Sequence, residues 1–114
     1  MSRYLIEATY ATEAFAALVN TPHDRIEQVR PAIAKLGGSI EIAYFAFGDS
    51  DLILIVDLPD NVSAAAFSMA VSAAGGVRMH RTTPLLTIAE SVQAMHKASE
   101  VEYRPPSAYL PDWG

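Results

Sequence analysis

The chain has 114 residues and no cysteine, and its 8 basic and 13 acidic residues give it a net charge of -5. This length fits one domain with its own core, and the lack of cysteine excludes disulfides, thiolate metal sites and thiol nucleophiles. The negative charge disfavours nucleic acid and anionic lipid as partners. Because the sequence shows neither a signal region nor a long apolar run, we expect no membrane partner and a cytoplasmic protein.

The first third of the chain predicts one strand and two helices. Arg3 to Tyr10 alternates with the period of two that is typical of a strand. Thr12 to Val19 is predicted to be a short helix with its first residue as the N-cap. Thr21 and Pro22 are favourable at a cap and at a first helical position, so the second helix is predicted to begin there. We expect it to stop at Gly37 in the left-handed conformation.

The stretch from Gly37 to Pro59 predicts a hairpin. Two β-prone runs flank the short connection Asp49-Ser50-Asp51. The second run, Leu52 to Val56, is apolar without alternation, which predicts a central strand that is buried on both faces.

A third predicted helix follows, over Val62 to Ala74, with Asp60-Asn61 as its cap. No charged residue lies between Asp60 and Arg78, although a helix with one face in water normally carries charge there. The helix therefore either lies flat on its own sheet or is covered by a partner. Its predicted apolar stripe consists of Phe67, Ala70, Val71 and Ala74.

The rest of the chain predicts an edge strand, a last helix and an irregular tail. Val77 to Thr82 alternates as expected for an edge strand, and Thr83 to Leu86 is predicted to lead away from it. Thr87 and Glu90 match a capping box, so a helix should run to about Lys97. We place the domain at residues 1–98 and a tail rich in proline and aromatic residues at 99–114.

The two halves of the chain share one pattern, in which a strand, a helix, a Gly-Gly pair and a second strand follow one another. Two such β-α-β halves predict an α+β, ferredoxin-like split β-α-β sandwich, with a four-stranded antiparallel sheet and helices on one face. The second face of the sheet then needs another cover. A second copy of the chain is the simplest one, which predicts a homo-oligomer; the last helix or the tail is the alternative.

Several motifs stand at a characteristic spacing along the chain. They are Tyr4-Leu-Ile-Glu-Ala-Thr-Tyr, Lys35-Leu-Gly-Gly, Tyr44-Phe-Ala-Phe-Gly-Asp-Ser-Asp, Ile55-Val-Asp-Leu-Pro-Asp, Val71-Ser-Ala, Arg78 and Thr82-Thr-Pro-Leu-Leu-Thr. Together they resemble the GYD domain family over residues 3 to 97. The Gly-Tyr-Asp signature of the family falls on Gly48, Ser50 and Asp51, with serine at the tyrosine position. The resemblance implies a small bacterial ferredoxin-like protein and implies no particular reaction.

Candidate site residues lie on predicted strands and on one helix. A pocket between sheet and helices would suit a small apolar or aromatic ligand. Arg78 and His80 stand two apart on one strand and are predicted to share a face, where they could bind an anion or handle a proton, or form a solvated edge. The residues predicted to line the ligand pocket are Tyr10, Tyr44, Phe45, Phe47 and Met69.

No metal site or cofactor is predicted. His23, His80 and His96 are too far apart in sequence to suggest metal-ligand spacing. Asp49 and Asp51 could ligate a cation, but a turn favours aspartate in any case. Both Gly-Gly pairs follow helices instead of preceding them, so neither forms a phosphate loop.

Three functions remain open from the sequence. The first is a self-associating, non-catalytic module that binds a small molecule. The second is a cofactor-independent enzyme, monooxygenase-like or isomerase-like, with His80 as general acid or base and Arg78 as its electrostatic partner. The third is a purely structural subunit whose aromatic tail docks on a neighbour.

Overall fold

The structure is a computed structural model that describes residues 1–106. Four strands and four helices follow one another in that part of the chain. The tail residues 107–114, with Tyr109, Pro111 and Trp113, lie outside the described residues. The elements are β1 Ser2–Tyr10, α1 Thr12–Asn20, α2 Arg25–Lys35, β2 Ser39–Phe45, β3 Leu52–Leu58, α3 Asn61–Ala74, β4 Val77–Leu85 and α4 Ile88–Ser99.

The strands form one antiparallel sheet in the order β2-β3-β1-β4. This order places the first and third strands in the middle and the second and fourth at the edges, as the two β-α-β halves predict. Helix α1 is an addition between β1 and α2. The predicted α+β, ferredoxin-like fold is therefore confirmed, with β3 central and β4 at an edge.

The core lies between one face of the sheet and the helices α2 and α3. Alternate residues of β1 and β3 point into it, as the period of two in a strand requires. Phe67 of α3 packs into the same cluster, and the Tyr4 hydroxyl donates to Asn61 Oδ1 at 2.6 Å, which satisfies its polar end inside the core. The most enclosed side chains are Tyr4, Ile33, Leu54, Val56 and Leu58.

Within residues 1–106 no helix covers the opposite side of the sheet in this way, and we call that side the open face. Leu5, Ile53 and Ile55 alternate with core residues there and are half-buried. At the β2 edge Ile42 is 43% exposed and Tyr44 is 67% exposed. The expectation that the apolar β3 is buried on both faces is thus wrong for the single chain, because the helices pack on one side only.

Two helix starts differ from their predictions. No side chain caps α1, so Thr12 is not its cap. Helix α2 begins at Arg25 instead of after Thr21, because the Asp24 carboxylate accepts the N–H of Ile26 at 2.9 Å and caps it. Threonine and aspartate are both good caps, and local propensity alone does not choose between them.

The other helix ends agree with prediction. The Asp60 carboxylate accepts the Ser63 N–H at 2.9 Å and caps α3. Thr87 and Glu90 form the reciprocal capping box, with bonds of 3.0 Å and 2.9 Å. These backbone N–H bonds lower the pKa of Asp60 and of Glu90. Gly37 stops α2 with a φ of 84°.

The predicted stripe of α3 is partly wrong. Phe67 is buried and Val71 is half-buried, but Ala70 and Ala74 are exposed, and Ala64 takes their place in the core. The last turn, residues 72–74, is exposed throughout because it extends beyond the core. The uncharged outer side of this helix is not covered within the described residues.

The end of strand β4 also differs from its prediction. Strand β4 continues to Leu85 and includes Pro84, which an edge strand tolerates because one row of its N–H groups faces solvent. Helix α4 buries none of its residues, so it does not cover the open face. The exposed apolar side chains of this helix are Ile88, Val92 and Met95.

Candidate functional site

The loop that carries the signature residues fastens the hairpin to the end of β1. The Thr9 hydroxyl donates to the Asp49 carbonyl at 2.9 Å, and the Asp51 N–H donates to the Ala8 carbonyl at 2.8 Å. The Asp51 carboxylate accepts the Tyr10 N–H at 2.9 Å. Ser50 is buried. The loop therefore fixes the position of Tyr10, with Asp51 in a structural role.

A bulge in the β1–β4 pairing separates Arg78 from His80. Ala8 pairs with His80, but Tyr10 pairs with Val77, so β4 has one extra residue at this point. The extra residue interrupts the alternation of side chains. His80 faces the core, whereas Arg78 is exposed beside Gly48 and Asp51 of the loop. The expected common face of Arg78 and His80 is wrong for this reason.

His80 lines a small cavity between the sheet and the core helices. This cavity, which we call the His80 cavity, has a volume of about 60 Å³, and Tyr10, Arg25 and Phe67 also border it. The His80 Nε2 lies 3.0 Å from Thr82 Oγ1. The Nδ1 atom is buried without a hydrogen-bond partner among the described residues. Burial lowers the pKa of His80, which favours the neutral imidazole.

A larger cleft opens next to this cavity, at the end of the hairpin. It has a volume of about 630 Å³ and lies between α1, the start of α2, the end of β2 and the start of β3. The Phe15 and Phe45 rings meet edge to face, with centroids 6.1 Å apart. Tyr10 stacks on Phe45 at 6.5 Å. We call this space the aromatic cleft, and Arg25 and Leu52 border both it and the His80 cavity.

Opposing effects act on the pKa of the Tyr10 hydroxyl. Burial raises the pKa of Tyr10, and the nearby Asp51 carboxylate acts in the same direction, while the Arg25 guanidinium opposes the rise. The phenol therefore stays protonated at neutral pH and can donate a hydrogen bond.

The structure brings together three of the five predicted ligand residues. Tyr44 and Phe45 line the aromatic cleft, and Tyr10 stacks against its wall. Phe47 is 102% exposed and Met69 is 70% exposed, and neither borders the cleft or the His80 cavity. Phe47 lies beyond the end of β2, and Met69 lies on the outer side of α3, so neither points between sheet and helices.

Sequence reasoning missed two contributors to the cleft. In the sequence, Phe15 lies within the predicted short helix over Thr12 to Val19, and Arg25 has the pattern of a solvated residue of the second helix. One feature of the sequence could have identified Arg25 as a cleft residue. It directly follows Asp24, a good cap, and this places it on the first turn of α2. Sequence alone did not show that this turn faces the end of β2.

A wider depression lies at the opposite end of the sheet. It has a volume of about 790 Å³ and is bordered by Arg3, Glu41 and Asp57. Arg3 pairs with Glu41 at 3.0 Å and with Asp57 at 3.4 Å, so its charge is already neutralised by these carboxylates. Across residues 1–106 there is no group of three or more histidine or acidic side chains arranged to hold a metal ion.

The fold and the cleft define a class, that of small ferredoxin-like α+β proteins with an aromatic cleft beside the sheet. The model of the GYD domain family matches residues 4–95, which is most of the chain. The chain therefore belongs to the GYD domain family, as its motifs indicate. No curated protein matches the chain. In the part of the chain that the structure describes, no helix is long and apolar enough to cross a membrane.

Proposed function

We propose that this GYD-domain protein is a homo-oligomeric module that binds a small aromatic or apolar molecule in the aromatic cleft. The observation that carries the proposal is the meeting of Tyr10, Phe15 and Phe45, from three different elements, at one cleft. Ring pairs of this kind contribute binding energy beyond the area that they bury. The volume of about 630 Å³ falls within the range of about 300–1,000 Å³ for small-molecule sites.

Self-association through the open face fits the same proposal. Leu5, Ile53 and Ile55 form a half-buried apolar centre, and the Arg3 ion pairs give it a charged border. An apolar centre with a polar rim is the usual anatomy of a protein interface. Tyr44 belongs both to this face and to the lining of the cleft, so a second copy on the open face would also border the bound molecule.

Ligand binding is tested first on the protein as purified, by native mass spectrometry for a co-purified compound. A thermal-shift screen of small aromatic compounds follows, on the wild type and on Phe45→Ala. We expect stabilisation by aromatic compounds that Phe45→Ala abolishes. The matched control is Phe47→Ala, because Phe47 is fully exposed nearby and does not border the cleft. Equal responses of the two variants would contradict the proposal.

Self-association is tested by size-exclusion chromatography with light scattering. Ile55→Asp places a charge at the centre of the open face and should yield a monomer. Val62→Asp, on the exposed side of α3, is the control and should keep the wild-type mass. Truncation after Ser99 should also keep it. A monomeric truncation together with an oligomeric Ile55→Asp would instead favour a structural subunit held by its tail.

An enzyme is the second candidate, and the His80 cavity favours it. A neutral imidazole whose Nδ1 has no hydrogen-bond partner among residues 1–106 can accept a proton from a substrate carbon or hydroxyl. Such chemistry is that of an isomerase or of a cofactor-independent monooxygenase. The test is NMR detection of deuterium exchange from solvent into a bound compound. Exchange that the wild type catalyses and His80→Gln does not would support the enzyme hypothesis. If the wild type catalyses no exchange, the non-catalytic binding module remains as the proposed function.

A further inference from the structure

The aromatic cleft carries positive charge in an otherwise acidic protein. Two guanidiniums, from Arg25 and Arg30, border it, whereas the chain as a whole has a net charge of -5. The ion pairs found within residues 1–106 are those of Arg3, so neither cleft arginine is neutralised by a carboxylate in that part of the chain. Asp24 also borders the cleft, where its carboxylate accepts the Ile26 N–H as the cap of α2. Its negative charge offsets one of the two guanidiniums, so the cleft keeps a net positive charge.

The position of Arg25 suits a charged group at the inner end of the cleft. Arg25 borders both the cleft and the His80 cavity, and its guanidinium acts electrostatically on the Tyr10 hydroxyl. Phe45, on which Tyr10 stacks, forms the neighbouring wall. A flat ring against Phe45 would therefore bring a substituent within reach of Arg25. A guanidinium donates two parallel hydrogen bonds to a carboxylate and matches its geometry.

We propose that the natural ligand of this cleft is an aromatic carboxylate, with its ring against the wall that Phe15 and Phe45 form together and its carboxylate on Arg25. Arg30, on the same helix, adds to the positive potential at the opening. This inference rests on the proposed function and narrows its ligand class. Phosphate lacks the ring that the aromatic wall would contact, and a neutral aromatic compound leaves Arg25 without an anion.

The experiment compares benzoate, its neutral analogue benzamide, and inorganic phosphate by ligand-observed NMR titration of the full chain. Benzoate should bind about tenfold more tightly than benzamide, because a hydrogen-bonded charge adds this much affinity. Arg25→Gln should weaken benzoate about tenfold and leave benzamide unchanged. Lys35→Gln, which removes the same charge from the far end of α2, is the control and should leave both affinities unchanged.

The outcomes separate the two proposals. Equal affinities for benzoate and benzamide, or an unchanged benzoate affinity in Arg25→Gln, would overturn the carboxylate assignment and leave the aromatic binding module standing. Phosphate binding as tight as benzoate would overturn the role of the ring. If neither aromatic compound binds to the wild type, the proposed function fails together with this inference. Weakened binding of both compounds in Phe45→Ala supports the ring position.

Discussion

The two faces of the sheet have similar sequences but different surroundings. On β3 the core face carries Leu54 and Val56, which are almost fully enclosed, and the open face carries Ile53 and Ile55, which are only half-buried. Alternate apolar residues of one strand thus meet helices on one side and no helix on the other. An apolar run without alternation therefore does not by itself show that both faces of a strand are buried within one chain. We propose that a second copy covers the open face.

The largest expected difference is between neighbours on the two faces. Leu54→Ala removes a packed core side chain and should lower the free energy of unfolding by about 2–5 kcal/mol at any protein concentration. Ile55→Ala should cost less in dilute protein and more as the concentration rises, because a second copy would cover it. Urea unfolding at two protein concentrations measures both. A cost for Ile55→Ala that is independent of concentration would contradict the proposed use of the open face.

The next expected effect lies at the start of β2, where the chain passes close to β3. A Cβ at Gly38 would overlap the Asp57 carbonyl oxygen and lie 2.7 Å from Leu58 Cδ2. Gly38→Ala should therefore destabilise the protein by about 1–3 kcal/mol. Gly48→Ala is the control, because no atom of the described part of the chain lies within 4 Å of the added group. Equal unfolding midpoints for the two variants would show that β2 and β3 can separate without cost.

The helix that covers the core and the helix that does not should respond differently to loss of a cap. Asp60→Ala weakens α3, which carries Phe67, and should lower the midpoint of global unfolding. Thr87→Ala should weaken α4 locally by about 0.5–2 kcal/mol and leave the global midpoint unchanged, because α4 buries no residue. Hydrogen exchange measures the local effect. A global effect of Thr87→Ala would mean that α4 is packed in solution, as on a second copy.

The smallest expected effect is the pH dependence that His80 adds on the covered face. Burial lowers the pKa of His80 in the folded protein, so below about pH 6.5, the ordinary histidine value, the unfolded chain takes up the proton first. His80 therefore makes the free energy of unfolding fall as the pH decreases from about 6.5. In His80→Gln, the free energy of unfolding measured by chemical denaturation between about pH 5 and 8 should lack this pH-dependent contribution. His96→Gln, on exposed α4, is the control and should keep it.

Local sequence signals predicted the elements well where one residue type has one physical role. Gly37 ends α2 because glycine accepts a positive φ. Thr87 and Glu90 cap the N-terminus of α4 with their own side chains. Local signals failed where two residues could play the same role. Thr21 and Asp24 are both competent caps, and the chain uses the aspartate.

The candidate site was predictable only in part. Tyr44 and Phe45 are among the residues predicted to line a pocket between sheet and helices, and both border the aromatic cleft. Phe47 and Met69 have the same chemistry, but the end of β2 and the rotation of α3 leave them exposed. The bulge that moves Arg78 away from His80 depends on the register in which β1 pairs with β4. This register cannot be predicted from the sequence of either strand alone.

The sequence by itself determined the fold class and the family, because the repeated β-α-β pattern and the spaced motifs are local and their order along the chain restricts the topology. It also indicated that one side of the sheet lacks a cover. The tertiary structure decided which side chains share a space. Phe15, Phe45 and Arg25 are distant in sequence, and the docking of α1 and α2 beside the end of β2 assembles them into one cleft.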